Sequence, residues 1–230
     1  MPNDQPQALQ SRLRVNYPIQ IDRVLGLGEV PTLRLQRALG RRGDVGAHDV
    51  VLSCVHWTWF GMPHAALVYI LLRHRRQFLR SALSMAAVFD AGLVFYWNAP
   101  TAPPWWASEN GYMPPVRRLM VETGKRYWRR MWKPLYDSLA GNPFAAMPSL
   151  HFATSVMAAH LLSDVSPRAG RIGWTYAGTL GFALVYLGEH YVVDLVAGLA
   201  LAEAVRACEP YIGTLAPARA LIGYRPSVPS

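Results

Sequence analysis

MPSLHFATSVMAAHLLS, residues 147–163, is an apolar run that opens on a proline, a serine and a histidine and carries no formal charge. At about 1.5 Å per residue it is long enough for a helix that crosses most of a bilayer. Thirty-nine residues after His151 the arrangement returns: HYVVDLVAGLALAEAVRAC, residues 190–208, again places a histidine at the head of an apolar stretch. On a helix, His190 and Asp194 fall one turn apart on a single face. Two histidines and a carboxylate at a membrane boundary suit one imidazole held as a nucleophile and another free to act as an acid, on an anionic substrate.

Composition agrees with a membrane setting. Of 230 residues, 52% are hydrophobic and only 16% charged, which leaves little polar surface for a soluble globule of this size. Residues 50–72 form a run of 23 without a formal charge, longer as a helix than the roughly 30 Å of hydrocarbon, and are expected to span the membrane. Weaker spans are expected at 81–98, 148–163, 172–188 and 191–208. The expected fold is an all-α, polytopic membrane bundle of five to six helices: a catalytic bundle at 50–208 with a loop at 99–147, a basic segment at 1–49 and a tail at 209–230. Within it, His56, His64 and His160 read as structural histidines. Asp90 is expected to face a partner or a cavity. Gly173, Ala177 and Gly181 make a small-residue stripe for close helix packing. Cys54 and Cys208 read as small core residues, with neither a disulfide framework nor metal-ligand spacing.

The segment 1–49 is Arg-rich and lacks the apolar stretch of a secretion signal. Leu25, Leu35 and Leu39 among Arg34, Arg37, Arg41 and Arg42 fit an amphipathic helix along the headgroups, or a basic tail without fixed structure. A formal charge of +9 without zinc spacing or an RNA-binding aromatic motif favours anionic lipid over nucleic acid. Counting crossings puts His151, His190 and the loop 99–147 on one face. That loop gathers Trp105, Trp106, Tyr112, Tyr127, Trp128 and Trp132, which with Tyr96 and Trp97 read as an interfacial belt or as loop packing. It also holds Arg117, Arg118, Lys125, Arg126, Arg129, Arg130 and Lys133 against Glu109, Glu122 and Asp137.

These residues suggest a mechanism. Pro148 suits the first position of a helix, which would leave the N–H groups of Ser149, Leu150 and His151 as an anion site, with the Ser149 hydroxyl as a further donor. Asp194 can fix the tautomer of His190 that leaves its other nitrogen free to attack phosphorus, and His151 can protonate the departing oxygen. A phosphohistidine follows, released by water or by an alcohol.

The two strings resemble motifs of the type 2 phosphatidic acid phosphatases, whose usual pattern is K-x6-R-P, then P-S-G-H, then S-R-x5-H-x3-D. Pro148-Ser149-Leu150-His151 is similar to the P-S-L-H form found in the branch of inositol phosphorylceramide synthases, and Glu189-His190-Tyr191-Val192-Val193-Asp194 resembles that branch's third motif. Pro100-Thr101-Ala102-Pro103-Pro104-Trp105 is similar to its proline-rich loop. The resemblance covers roughly 50–207. It implies a six-helix bundle, a phosphohistidine on His190, His151 as general acid and Asp194 orienting His190, without a metal or cofactor. The chain departs from the pattern in two places. Ala183 and Leu184 stand where the third motif has Ser-Arg, and the first motif survives only as Arg126-x6-Lys133-Pro134, with its basic residues exchanged. Arg126, Arg129, Arg130 and Lys133 are therefore the expected phosphate-binding cations, beside Ser149 and Leu150.

The implied activity is hydrolysis or transfer of a phosphoryl group from a lipid phosphate, or transfer of a phospho-headgroup to an alcohol such as inositol. Two further readings are a vanadium-dependent haloperoxidase and a non-catalytic lipid-binding bundle. The expected partners are a lipid phosphate or phospholipid, membrane lipids and an alcohol acceptor, with no nucleic acid. The expected location is the plasma membrane with the catalytic face extracytoplasmic; charge by itself leaves orientation open, because basic residues crowd both faces.

Overall fold

A computed structural model describes residues 12–40, 43–134 and 142–212. Arg41, Arg42, Asp137 and most of the C-terminal tail, 213–230, lie outside the described residues. Among the described residues ten α-helices follow in order: α1 Asn16–Leu25, α2 Pro31–Leu39, α3 Ala47–Thr58, α4 Met62–Arg73, α5 Arg75–Asn98, α6 Pro104–Glu109, α7 Leu119–Trp128, α8 Leu150–Val165, α9 Pro167–Tyr186 and α10 Val192–Ile212. A single 3₁₀ turn, Arg129–Met131, follows α7. The fold is an all-α membrane bundle, with more helices than five or six because the flanking segment and the loop are helical too.

α8 is the hub. Its buried residues include Ala153, Thr154, Val156, Met157, Ala158, Ala159 and Leu161, which leaves no polar stripe, the pattern of a helix enclosed on all sides. It packs against α4, α5, α9 and α10. With Ile70, Met85, Val88 and Leu201 it forms the largest apolar core. The small-residue stripe of α9 meets this helix, with Ala177 clustered against Val156 and Ala202. Ser166 caps α9 by accepting from Ala169 N at 3.4 Å, and Pro167 occupies its first turn.

The run 50–72 differs from the single span expected of it. It is two helices joined by a turn through Trp59, Phe60 and Gly61. Pro63 lies in the first turn of α4, where its missing N–H and its ring oppose continuation from α3. Trp59 also turns inward, and its Nε1 donates to Thr154 Oγ1 at 2.9 Å. The break sets His56 and His64 on different helices, the first buried and the second exposed. Among the described residues, α5 is the helix long and apolar enough to cross a membrane. Asp90 lies exposed on its outer side rather than facing inward, and Cys54 and Cys208 are likewise exposed rather than core residues. The helix periodicity that decides these faces is set by packing partners, which hydropathy does not report.

The two ends of the bundle differ in chemistry. At one end, Arg206 forks onto Asp164 at 2.8 and 3.1 Å, Arg80 pairs with Glu209, and His160 meets Glu203 at 2.6 Å. At the other end stand the heads of α8 and α10, α6, α7 and the N-terminal helices.

The described part of that N-terminal segment, 12–40, is neither a tail nor one amphipathic helix. α1 and α2 are separated by a turn at 26–30, and Val15, Ile19 and Val30 share a second apolar core with Ala102, Ala107, Met113 and Tyr191. Ile19 and Val30 are almost wholly buried, each contributing about 1.5–3 kcal/mol.

Candidate active site

α9 ends at Tyr186, and the chain turns sharply so that the N–H groups of Glu189 and His190 both return to Leu184 O at 3.1 Å. Gly188 makes the turn possible. Its φ of +82° is strained for a residue with a side chain, and a Cβ there would lie 2.9 Å from Arg117 O. The turn lays His190 against the first turn of α10. His190 Nδ1 is 3.3 Å from Asp194 Oδ2, and the same oxygen accepts from Tyr191 N at 2.9 Å. Because a carboxylate accepts, Nδ1 carries the ring proton and Nε2 presents its lone pair. Nε2 lies 3.3 Å from His151 Nδ1. The three residues that the two strings nominated thus form one continuous chain, Asp194 to His190 to His151.

His151 is placed by the head of α8. Ser149 is the cap of that helix, its Oγ accepting from Phe152 N at 3.3 Å, and Pro148 precedes the cap rather than opening the helix. The anion site expected from these N–H groups is altered accordingly. Ser149 N donates to Asp194 O at 2.9 Å, and Leu150 N donates to Tyr96 Oη at 3.2 Å. Both donors serve the joint between α8, α10 and α5, and Ser149 is fully buried in it. Gly198 permits that joint, since a Cβ there would lie 2.6 Å from Ser149 O.

A cavity of about 750 Å³ opens over the histidines, walled by Trp57, Trp59, Trp105, Trp128 and Trp132 and reaching Phe60 at the elbow between α3 and α4. The His151 ring lies 4.1 Å from Trp59 and 5.0 Å from His56, which also lines the cavity. Sequence reading set His56 aside as structural, since one histidine on an apolar helix gives no sign of what it faces. The interfacial belt divides: Trp97 and Tyr127 face outward, while Trp105 and Trp132 wall the cavity.

Of the four expected cations, none lines this cavity. Arg126 is exposed and paired with Asp44, Arg129 and Arg130 sit exposed on the 3₁₀ turn, and Lys133 is exposed beyond it. The arginine at the cavity is Arg118. It forks onto Glu189 at 2.9 and 3.0 Å, and its guanidinium lies 3.8 Å above the Trp105 ring. Adjacency of Glu189 to His190 was the available signal. Nothing in the spacing separated Arg118 from its neighbours in the loop.

The N-terminal segment ties these parts together. Arg14 N donates to Pro100 O at 2.9 Å, and Thr101 N to Phe144 O at 2.9 Å, so three stretches run side by side beneath the cavity. Tyr17 Oη donates to Met147 Sδ at 3.1 Å. Gln36 bonds Arg117 through both its amide atoms and reaches Tyr186 O at 2.8 Å. Asp22 is fully buried and accepts from Val192 N and Val193 N, each at 2.9 Å. Burial pushes its carboxyl up to about 6, against the opposing pull of those two amides.

Comparison with known proteins accords with this geometry. The chain is 30% identical over 167 residues to a phosphoinositol dihydroceramide synthase of Bacteroides thetaiotaomicron, covering 67% of this chain and 53% of the relative. It is 28% identical over 166 residues to an inositol phosphorylceramide synthase of Candida albicans, covering 67% and 35%. The chain therefore spans about half the length, or less, of the curated relatives it matches. No solved structure matches it. The sequence profile of the PAP2 superfamily fits residues 22–207, a stretch that holds both histidines, Asp194 and Asp22, and the chain belongs to that superfamily.

Proposed function

We propose that this protein is a membrane phosphotransferase that moves a phospho-headgroup from a phospholipid to an alcohol through a phosphohistidine on His190. The observation that carries this reading is the Asp194–His190–His151 chain at the floor of an aromatic cavity. His190 Nε2 attacks phosphorus, the N–P bond forms, the P–O bond to the leaving group breaks, and His151 passes its proton to the departing oxygen. In the second half, the acceptor hydroxyl gives its proton to His151 while its oxygen takes the phosphoryl group and the N–P bond breaks. Water in the acceptor's place gives hydrolysis. Asp194 holds the Nδ1 proton and stabilises the cationic ring as the bond forms.

Charge favours a diester donor. The cavity's arginine already carries the Glu189 carboxylate as its counter-ion, so its surroundings suit a singly charged phosphodiester better than a doubly charged monoester. The names of the relatives make a phosphoinositol headgroup and a ceramide-type alcohol the first pair to test. Total charge leaves orientation open, so we weight the short α4–α5 junction, where Arg73, Arg75, Arg76 and Arg80 cluster at the opposite end, and place the catalytic face outside the plasma membrane.

The purified protein in vesicles containing phosphatidylinositol and ceramide should form inositol phosphorylceramide, and His190→Ala should abolish product while the helical content stays. An alanine variant as active as the parent removes the phosphohistidine. Release of free phosphate from a lipid phosphate, without transfer, would make the protein a phosphatase instead.

A further inference from the structure

α10 begins at Val192 with a cap position occupied by Tyr191, whose side chain cannot accept from the first amides of the helix. Only half of a capping box is present within the helix. Asp194, at the third helical position, accepts from Tyr191 N, and the reciprocal acceptor for the next amides is missing from this stretch of sequence. Asp22 supplies it from 170 residues away, with Oδ2 on Val192 N and Oδ1 on Val193 N.

We infer that Asp22 is a positioning residue for the His190–Asp194 pair, acting as the missing cap of the helix that carries Asp194. This rests on the reading of His190 as the nucleophile. Asp194 uses Oδ2 for both His190 and Tyr191 N, and its Oδ1 takes no hydrogen bond among the described residues. Were Asp22 removed, two part-buried amides would be left without an acceptor, a cost that rotation of Asp194 toward them can relieve. That rotation takes Asp194 off His190 Nδ1, and the imidazole loses both its tautomer and its aim. Asp22 thereby keeps the carboxylate of Asp194 for catalysis. The placement of Asp22 is itself fixed by Ile19 in the N-terminal core and by Tyr17 against Met147, so one short helix holds both catalytic strings.

The test uses the full chain in detergent or vesicles. Asp22→Ala should lower the turnover number about 10- to 100-fold, the range for a reacting group displaced by about 1 Å, with the donor KM unchanged. Asp22→Asn and Asp22→Ser, each with one acceptor oxygen for two amides, should fall between Asp22→Ala and the parent. Arg37→Ala, in an exposed ion pair with Glu29, should match the parent. A second readout needs no turnover: with 15N-histidine labelling, the His190 Nδ1 proton should give a downfield signal in the parent that is weakened in Asp22→Asn and lost in Asp22→Ala.

An unmoved signal in Asp22→Ala overturns the inference, even if its rate falls, because Asp22 would then serve stability alone. A parental rate in Asp22→Ala overturns it as well. If instead His190→Ala transfers as fast as the parent, the phosphohistidine reading fails, while the Nδ1 signal still decides whether Asp22 orients that ring.

Discussion

Arg118 and Glu189 show how one pair of residues can serve both the fold and the chemistry. The pair is largely enclosed, with side-chain exposures of 20% and 10%, so removing Arg118 leaves the Glu189 carboxylate without its guanidinium partner. Arg118→Ala should therefore destabilise the protein by about 3–5 kcal/mol as well as abolish transfer. The double variant Arg118→Met with Glu189→Leu separates the two effects. It should recover most of the stability in thermal denaturation, since an apolar pair of similar size replaces the ions, yet stay inactive for want of a cation at the phosphate. Arg126→Ala, by contrast, breaks only a solvent-exposed pair with Asp44 and should cost about 0–1 kcal/mol with no change in rate. A larger loss of rate in Arg126→Ala than in the double variant would return the phosphate site to the loop.

At the scale of elements, the site depends on how closely α8 and α10 cross. Ser149 N donates to Asp194 O at the crossing, and Gly198 presents no side chain to Ser149 O. Gly198→Ala would put a methyl group 2.6 Å from that carbonyl oxygen, a contact with backbone that only separation of the helices can relieve. His151 rides on one helix and Asp194 on the other. The variant should lose at least about tenfold in kcat/KM while circular dichroism stays parental; full activity would mean the crossing has slack. The elbow at 59–61 belongs to the same scale. A run of uncharged residues gave its length but not its break, because Pro63 tolerates a first helical turn and only the docking of Trp59 on Thr154 fixes where the turn falls.

Across the whole molecule, the helical bundle supplies the histidines and the N-terminal helices hold them in register. Deleting residues 1–40 should leave protein in the membrane fraction, because α5 and the core around α8 are untouched. Transfer should vanish, since the ties at Arg14, Tyr17, Asp22 and Gln36 go together. A truncated protein that transfers at the parental rate would show these helices to be an appendage. The order of the strings and the identity of the three facing residues were legible from local spacing, and the family from the resemblance of those strings to its motifs.

What sequence alone determined is what local rules govern, apolar runs long enough for helices and a histidine and aspartate one turn apart, with the family added by the resemblance of those strings to its motifs. Which cation lies at the cavity, which amides are free, and what caps α10 were decided only by tertiary structure. Arg118 is separated from Glu189 by 71 residues and Asp22 from Val192 by 170, and contacts across such distances depend on how helices cross rather than on any pattern along the chain.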